Sequence, residues 1–196
     1  MTQGLLPRFF DQVTRQTFGD LALDDRPAAR YLSALLTRFA RSEALYATDL
    51  LAGRRLDSVV EMLLAIEDTW QSGPLRSLAW PPAAASPAFD VDPRVERNLR
   101  RHIGDYTMFM TGVFREHVER MGVIDYYEVE GRRAYRFVGD TAATGAEDDA
   151  ALFRRLAQRF EQYAGALSYM RKVYLRADRL PLAAGHTPLF RRLSGD

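Results

Sequence analysis

Arg101, His102, Asp105 and Tyr106 form the one place in the chain where residue types and spacing could do chemistry. Helix positions three and four apart share a face, so His102 and Arg101 both come within reach of Asp105. An aspartate that orients a histidine makes it a proton acceptor, and an arginine beside the pair offers a planar grip on an anion. The competing reading is structural. A carboxylate near a buried helix surface must be paired or hydrogen-bonded, and the network that meets this need also fixes how helices pack. No nucleophile or second carboxylate accompanies the group, which favours the structural reading and assigns no catalytic residue. Tyr126 and Tyr127 pose the same choice between the wall of a ligand cavity and aromatic core. The candidate binding residues are therefore Arg101, His102, Asp105, Tyr106, Tyr126 and Tyr127.

Other chemistries leave no trace in the residues. There is no glycine-rich phosphate loop, no G-x-S-x-G elbow, no H-E-x-x-H, and no pair of E-x-x-H motifs that would build a di-iron bundle. With no cysteine and only His102, His117 and His186, few zinc or haem ligands are available. His102 and His117 lie fifteen residues apart, over ~20 Å along one helix at ~1.5 Å per residue, and do not share a metal. No metal and no cofactor are expected.

Charge is nearly balanced, 27 basic against 26 acidic side chains, so the chain does not advertise itself to nucleic acid or to an anionic membrane. Lys172 is the single lysine, a bias that reads as a GC-rich genome more readily than as selection for bidentate contacts. A helix-turn-helix unit around Met121 to Asp125 would place Tyr126, Tyr127, Glu128 and Glu130 at the start of its second helix, where carboxylates repel phosphates. Nucleic acid is thus an unlikely partner on charge grounds, and the arginine groups read as salt-bridged, solvated faces. The N-terminus lacks the pattern of a signal peptide and no apolar run approaches ~20 residues, so the expectation is a cytoplasmic protein without a membrane span. The absence of cysteine fits a reducing compartment.

The element that must position the candidate group is the stretch Asp92 to Met121. Apolar or aromatic residues recur at Val95, Leu99, Ile103, Tyr106, Met110 and Val113, continue to His117 and Met121, and have a second set, Met108, Phe109, Phe114 and Val118, beside them. A helix apolar on more than one side is wrapped by its neighbours. Asp92 and Pro93 signal its start. Gly104 and Gly112 in its interior predict close approach of another backbone or a bend.

Around it the spacing predicts helices at Leu5 to Gly19, after Asp24 or Asp25, from Asp57 to Trp70, after Asp125, and from Glu147 to Tyr174. The last holds Leu152, Leu156, Phe160, Tyr163, Leu167, Met170 and Tyr174 at steps of four and three. No alternating strand pattern of useful length is present. The fold class is all-α: a helical bundle of about six helices around a buried central helix at about 93–121. Residues 1–178 read as a single helical domain with a Pro/Ala-rich loop at 73–92, and 179–196 as a loose or docking tail with Leu180, Leu182, Leu189 and Phe190 as anchors.

The run from Arg101 to Phe114, followed by Asp125-Tyr-Tyr and Ala134-Tyr135, resembles a set of uncharacterised bacterial all-helical proteins. In that set a G-D-x-x-x-F-x-x-G-x-F helix precedes a Y-Y-x-x-x-G-x-x-A-Y helix and a long amphipathic one. The resemblance covers about Pro93 to Val173, implies the same all-helical fold, and carries no activity to any residue.

Two functions remain open. One is a non-enzymatic helical module that binds another protein or a second copy of itself, as a homodimer, through an apolar helix face or the tail. The other is a small-ligand-binding or enzymatic bundle with a polar site around His102 and Asp105. The lack of chemistry motifs favours the first.

Overall fold

The computed structural model describes residues 5–40, 47–48, 55–56, 93–142 and 145–175. Among these residues there are seven helices, and the fold is all-α. Helices α1 (Leu5–Asp20) and α2 (Arg26–Phe39) form an antiparallel pair. Helix α3 (Pro93–Val113) is followed by the short α4 (Arg115–Arg120), then α5 (Ile124–Asp140), α6 (Glu147–Gln158) and α7 (Phe160–Val173). Residues Ala47–Thr48 (β1) and Arg55–Leu56 (β2) make a two-residue antiparallel ladder, with Ala47 opposite Leu56. Strands of two residues are too short for a period of two to be read from sequence.

Helix α3 is the hub. It packs along α5 and α7 and touches α2, while α5 lies against α6 and α1 lies on α7. From Ile103 to Val113 none of its side chains is exposed. Ile103, Met108 and Phe109 are fully buried and join Leu32, Leu35, Phe39, Tyr135, Leu156, Phe160, Tyr163 and Leu167 in the core.

Two long helices predicted from periodicity are each divided in two. The central one ends at Val113, because Phe114 leaves the helical region (φ −109°, ψ 30°) before α4 begins. The expected stripe splits there: Val118 of the second apolar set stays buried, whereas His117 and Met121 are exposed. Upstream, the Thr107 and Thr111 hydroxyls bond back to the Ile103 and Thr107 carbonyls at 2.8 and 2.7 Å, contacts of the kind that bend helices. The C-terminal helix is likewise interrupted at Arg159 (φ −108°, ψ 27°). Leu156 and Phe160 on either side are both fully buried, so the apolar spacing survives a break that it cannot reveal.

Capping follows the sequence at two places and departs from it at a third. Asp25 caps α2 by accepting from the Ala28 amide at 3.0 Å, with Pro27 in the first turn where no backbone bond is lost. Gly122, at φ +70°, closes α4 in the left-handed conformation. Asp125 is not the cap of α5: the helix starts at Ile124 and Val123 holds the cap position without a side-chain bond. Asp125 lies in the first turn, where its charge still favours the helix dipole. The helix expected from Asp57 to Trp70, the loop at 73–92 and the tail at 179–196 lie outside the described residues.

The helices meet closely where side chains are missing. A Cβ at Gly104 would fall 2.7 Å from the Tyr135 ring, a side chain where the sequence suggested a backbone or a bend, and one at Gly112 would fall 2.6 Å from Leu167 Cβ and 3.2 Å from the Ala164 carbonyl oxygen, the expected backbone approach. The tightest approach was not foreseen. A Cβ at Gly131 of α5 would lie 2.4 Å from Thr107 Oγ1 and 2.5 Å from Phe160. By contrast, a Cβ at Gly165 of α7 would meet nothing within 4 Å. Denaturant unfolding should therefore show Gly131→Ala losing about 2 kcal/mol or more through overpacking, while Gly165→Ala gains about 0.5–1 kcal/mol from helix propensity. Equal and small effects at both positions would contradict this packing.

Candidate functional site

Asp105 is 1% exposed at the middle of α3, and its carboxylate accepts hydrogen bonds from two other helices, α2 and α5. Oδ1 accepts from the Tyr31 hydroxyl of α2 at 2.6 Å and from the Tyr135 hydroxyl of α5 at 2.9 Å. Oδ2 accepts from Arg38 Nη2, also on α2, and lies 4.0 Å from Arg101 Nε on its own helix. Arg101 Nε in turn donates to the Tyr31 oxygen at 3.1 Å.

The polarity of this network is fixed by the tyrosines. Burial raises the Tyr31 hydroxyl far above its usual pKa, and the Asp105 charge raises it further; Arg101 opposes this only in part. Burial and then Asp105 do the same to Tyr135. Both phenols stay protonated and donate to Asp105, leaving the Tyr31 lone pair free to accept from Arg101. Arg101 is itself sandwiched, its guanidinium carbon 5.4 Å from the Tyr31 ring centroid and 5.5 Å from that of Phe153.

His102 does not join Asp105 as the sequence spacing suggested. No hydrogen bond links them, and His102 Nε2 is buried without a partner. Its ring stands edge-on to Phe39 at 6.1 Å between centroids. Burial pushes its pKa down, Asp105 pulls it up, and Arg38 pushes it down again, so the net direction is downward and the neutral ring is favoured. The hydrogen bonds of Asp105 come from Tyr31, Tyr135 and Arg38 and none from His102, so it does not orient that ring as a base.

The other candidates form a separate group. Tyr106 faces Tyr127 at 6.2 Å, and Tyr127 faces Tyr126 at 6.1 Å, making a run of three rings across α3 and the start of α5. Tyr126 is exposed, as are Met121 and Val129. The tail anchors Leu180, Leu182, Leu189 and Phe190 lie outside the described residues.

Sequence reading missed Tyr31, Arg38 and Tyr135 as partners of Asp105, and missed a second centre altogether. Asp25, besides capping α2, accepts at Oδ2 from Tyr163 Oη at 2.7 Å and Arg155 Nε at 3.1 Å. The same chemistry recurs at Asp20, which accepts from Tyr169 and Tyr174 at 3.2 and 2.5 Å. Tyrosines on apolar faces were the available signal: each buried ring needs an acceptor for its hydroxyl, and an aspartate in a neighbouring helix supplies it.

Several arginines of the helix surfaces are paired. Arg100 meets Glu96 at 3.3 Å, Arg154 meets Asp140 at 2.9 Å, Arg133 meets Glu130 at 2.9 Å, and Arg132 meets Glu161. Among the described residues no group of three or more His, Asp or Glu is placed to hold a metal ion, and no helix is long and apolar enough to cross a membrane. Comparison of the chain with protein-family models, with curated proteins and with solved structures yields no match.

Two outcomes test the aspartate centres. Asp105→Asn leaves two guanidiniums short of their counter-ion and should cost about 3 kcal/mol or more in denaturant unfolding, whereas Tyr135→Phe, which removes one hydroxyl, should cost about 1 kcal/mol. A smaller loss for Asp105→Asn than for Tyr135→Phe would refute the assignment of Asp105 as the hub. For Asp25, burial raises the carboxyl pKa, but the Ala28 amide, the Tyr163 hydroxyl and Arg155 together outweigh it and bring the net value down. A carboxyl depressed in the folded state contributes stability above its unfolded pKa and loses it as pH falls through the folded one. The gap in Tm between wild type and Asp25→Asn should therefore be full at neutral pH and close as pH drops below about 4; a gap independent of pH would count against it.

Proposed function

We propose that the chain is a non-enzymatic helical module that binds protein, with a second copy of itself as the occupant, in a cytoplasmic setting. One contrast supports this reading. The carboxylate best placed to act in catalysis, Asp105, is consumed as an internal strut, while large apolar side chains are turned outward at the corner between α4 and α5. There Met121 is 55%, Tyr126 38% and Val129 47% exposed, with Tyr126 and Val129 three residues apart on one face of α5. Burying such side chains in an interface gains roughly 25 cal/mol per Å² of apolar area, and aromatic and methionine side chains are favoured at such surfaces. The paired arginines fit a surface built for solubility, with no single-sign field for a polyanion. A symmetric contact is the ordinary way for one patch to meet itself.

Light scattering after size exclusion tests this over a concentration series. The wild type is expected at about twice 22.3 kDa, and Val129→Glu at the single-chain mass with an unchanged helical circular dichroism spectrum. A wild type that stays at the single-chain mass at every concentration defeats self-association. A dimer that survives both Val129→Glu and Met121→Glu defeats this face.

A further inference from the structure

The Asp105 cluster holds more donor capacity than its carboxylate can use. Arg38 and Arg101 both have Asp105 as their acidic partner, and among the described residues neither meets another acid. Two guanidinium charges against one carboxylate leave a positive charge uncompensated. Donors are left over as well: Arg38 Nε and His102 Nε2 are shielded from water and have no hydrogen-bond partner. Such groups cost stability unless something accepts from them.

The guanidinium charge is reachable, although the two unpartnered nitrogens are not. The Arg38 and Arg101 side chains are 41% and 43% exposed, although the carboxylate between them is buried. Their planes are held in place, Arg101 against Tyr31 and Phe153, Arg38 5.4 Å from the Phe39 centroid, and His102 edge-on to the same Phe39. Guanidiniums braced on aromatic faces lose little freedom when a ligand arrives, which favours binding. Asp105 offsets one of the two guanidinium charges and leaves the other for a ligand.

We propose that Arg38 and Arg101, with His102 beside them, form a binding site for a small oxyanion of the carboxylate or phosphate-ester class, with Asp105 as the group that positions the arginines. The exposed parts of the two guanidiniums grip the anion, and the buried His102 ring, edge-on to the Phe39 that also carries Arg38, senses it without touching it. A cation is excluded by the charge excess, and an apolar ligand would leave that charge unmet. The site is separate from the protein-binding face at the α4–α5 corner, so either can fail without the other.

The chain has three histidines, His102, His117 and His186, so their imidazole proton resonances can be followed one by one. Full-length protein is titrated with orthophosphate and, in a separate arm, with succinate, at constant ionic strength kept with chloride. His102 is identified by the resonance missing from His102→Gln. The expected result is a saturable shift of the His102 signal in at least one arm, with the exposed His117 unmoved. Saturation by phosphate alone assigns a phosphate ester, by succinate alone a carboxylate, and by both an unselective oxyanion site. Arg101→Gln should weaken binding roughly tenfold or more, and Arg154→Gln, on an exposed ion pair elsewhere, should leave it unchanged. Should Arg101→Gln not fold, Arg101→Lys, which keeps the charge and loses the planar fork, should still bind several-fold more weakly. No saturable shift up to about 50 mM of either anion, or equal binding by wild type and the Arg101 variant, would overturn the proposal.

Discussion

A carboxylate that is 1% exposed in the middle of a helix has to find its hydrogen-bond donors inside the protein, and those of Asp105 come from two other helices. That requirement ties α2 and α5 to α3 with directional contacts, which apolar packing alone does not supply. It also dictates the neighbouring residue. Gly104 has no Cβ, so the Tyr135 ring can lie flat against α3 and bring its hydroxyl to Asp105; a methyl group there would occupy the ring's place. The close approach at Gly131 serves the same assembly from the other side, letting α5 rest on Thr107 and Phe160. Removing the charge therefore disturbs more than one ion pair, because glycine positions and tyrosine rings are arranged around it.

Asp25 repeats the solution at the other end of α2. One oxygen finishes the helix, and the other collects Arg155 and Tyr163 from α6 and α7. Helix α2 is thus held by its first residues through Asp25 and by its middle and end through Tyr31 and Arg38. An amphipathic helix held by packing alone can rotate or slide by a fraction of a turn at modest cost; one held by charged hydrogen bonds at both ends has a single register.

Much of this fold is legible in the sequence, because burial obeys helical spacing. The stripe from Leu152 to Tyr174, the Asp25-Pro27 start and the Gly122 stop each report a local requirement, and local requirements are visible in a linear string. The burial of Asp105 was legible too, since a charged residue between two interior glycines on an apolar helix has to be satisfied somewhere. The partners were not. Tyr31, Arg38 and Tyr135 lie 74, 67 and 30 residues away, and spacing along one helix says nothing about contacts across helices. It pointed instead to His102, the neighbour at the right interval, which faces Phe39. The breaks at Phe114 and Arg159 escaped for a related reason: one residue out of the helical region interrupts a helix without disturbing the apolar interval on either side.

The separations spanned by the Asp25 contacts bear on how the chain is made. Arg155 and Tyr163 are 130 and 138 residues downstream, so a ribosome must synthesise nearly all of the described chain before the first helical hairpin has all its polar partners. Until then α1 and α2 can associate through their apolar faces and Tyr31 and Arg38 can meet Asp105, but Asp25 has only the Ala28 amide of its own helix. Long-range contacts of this kind delay the final ordering step and couple the two ends of the domain into one cooperative transition. The nascent hairpin therefore keeps the part of its apolar side that faces the C-terminal helices uncovered until they emerge.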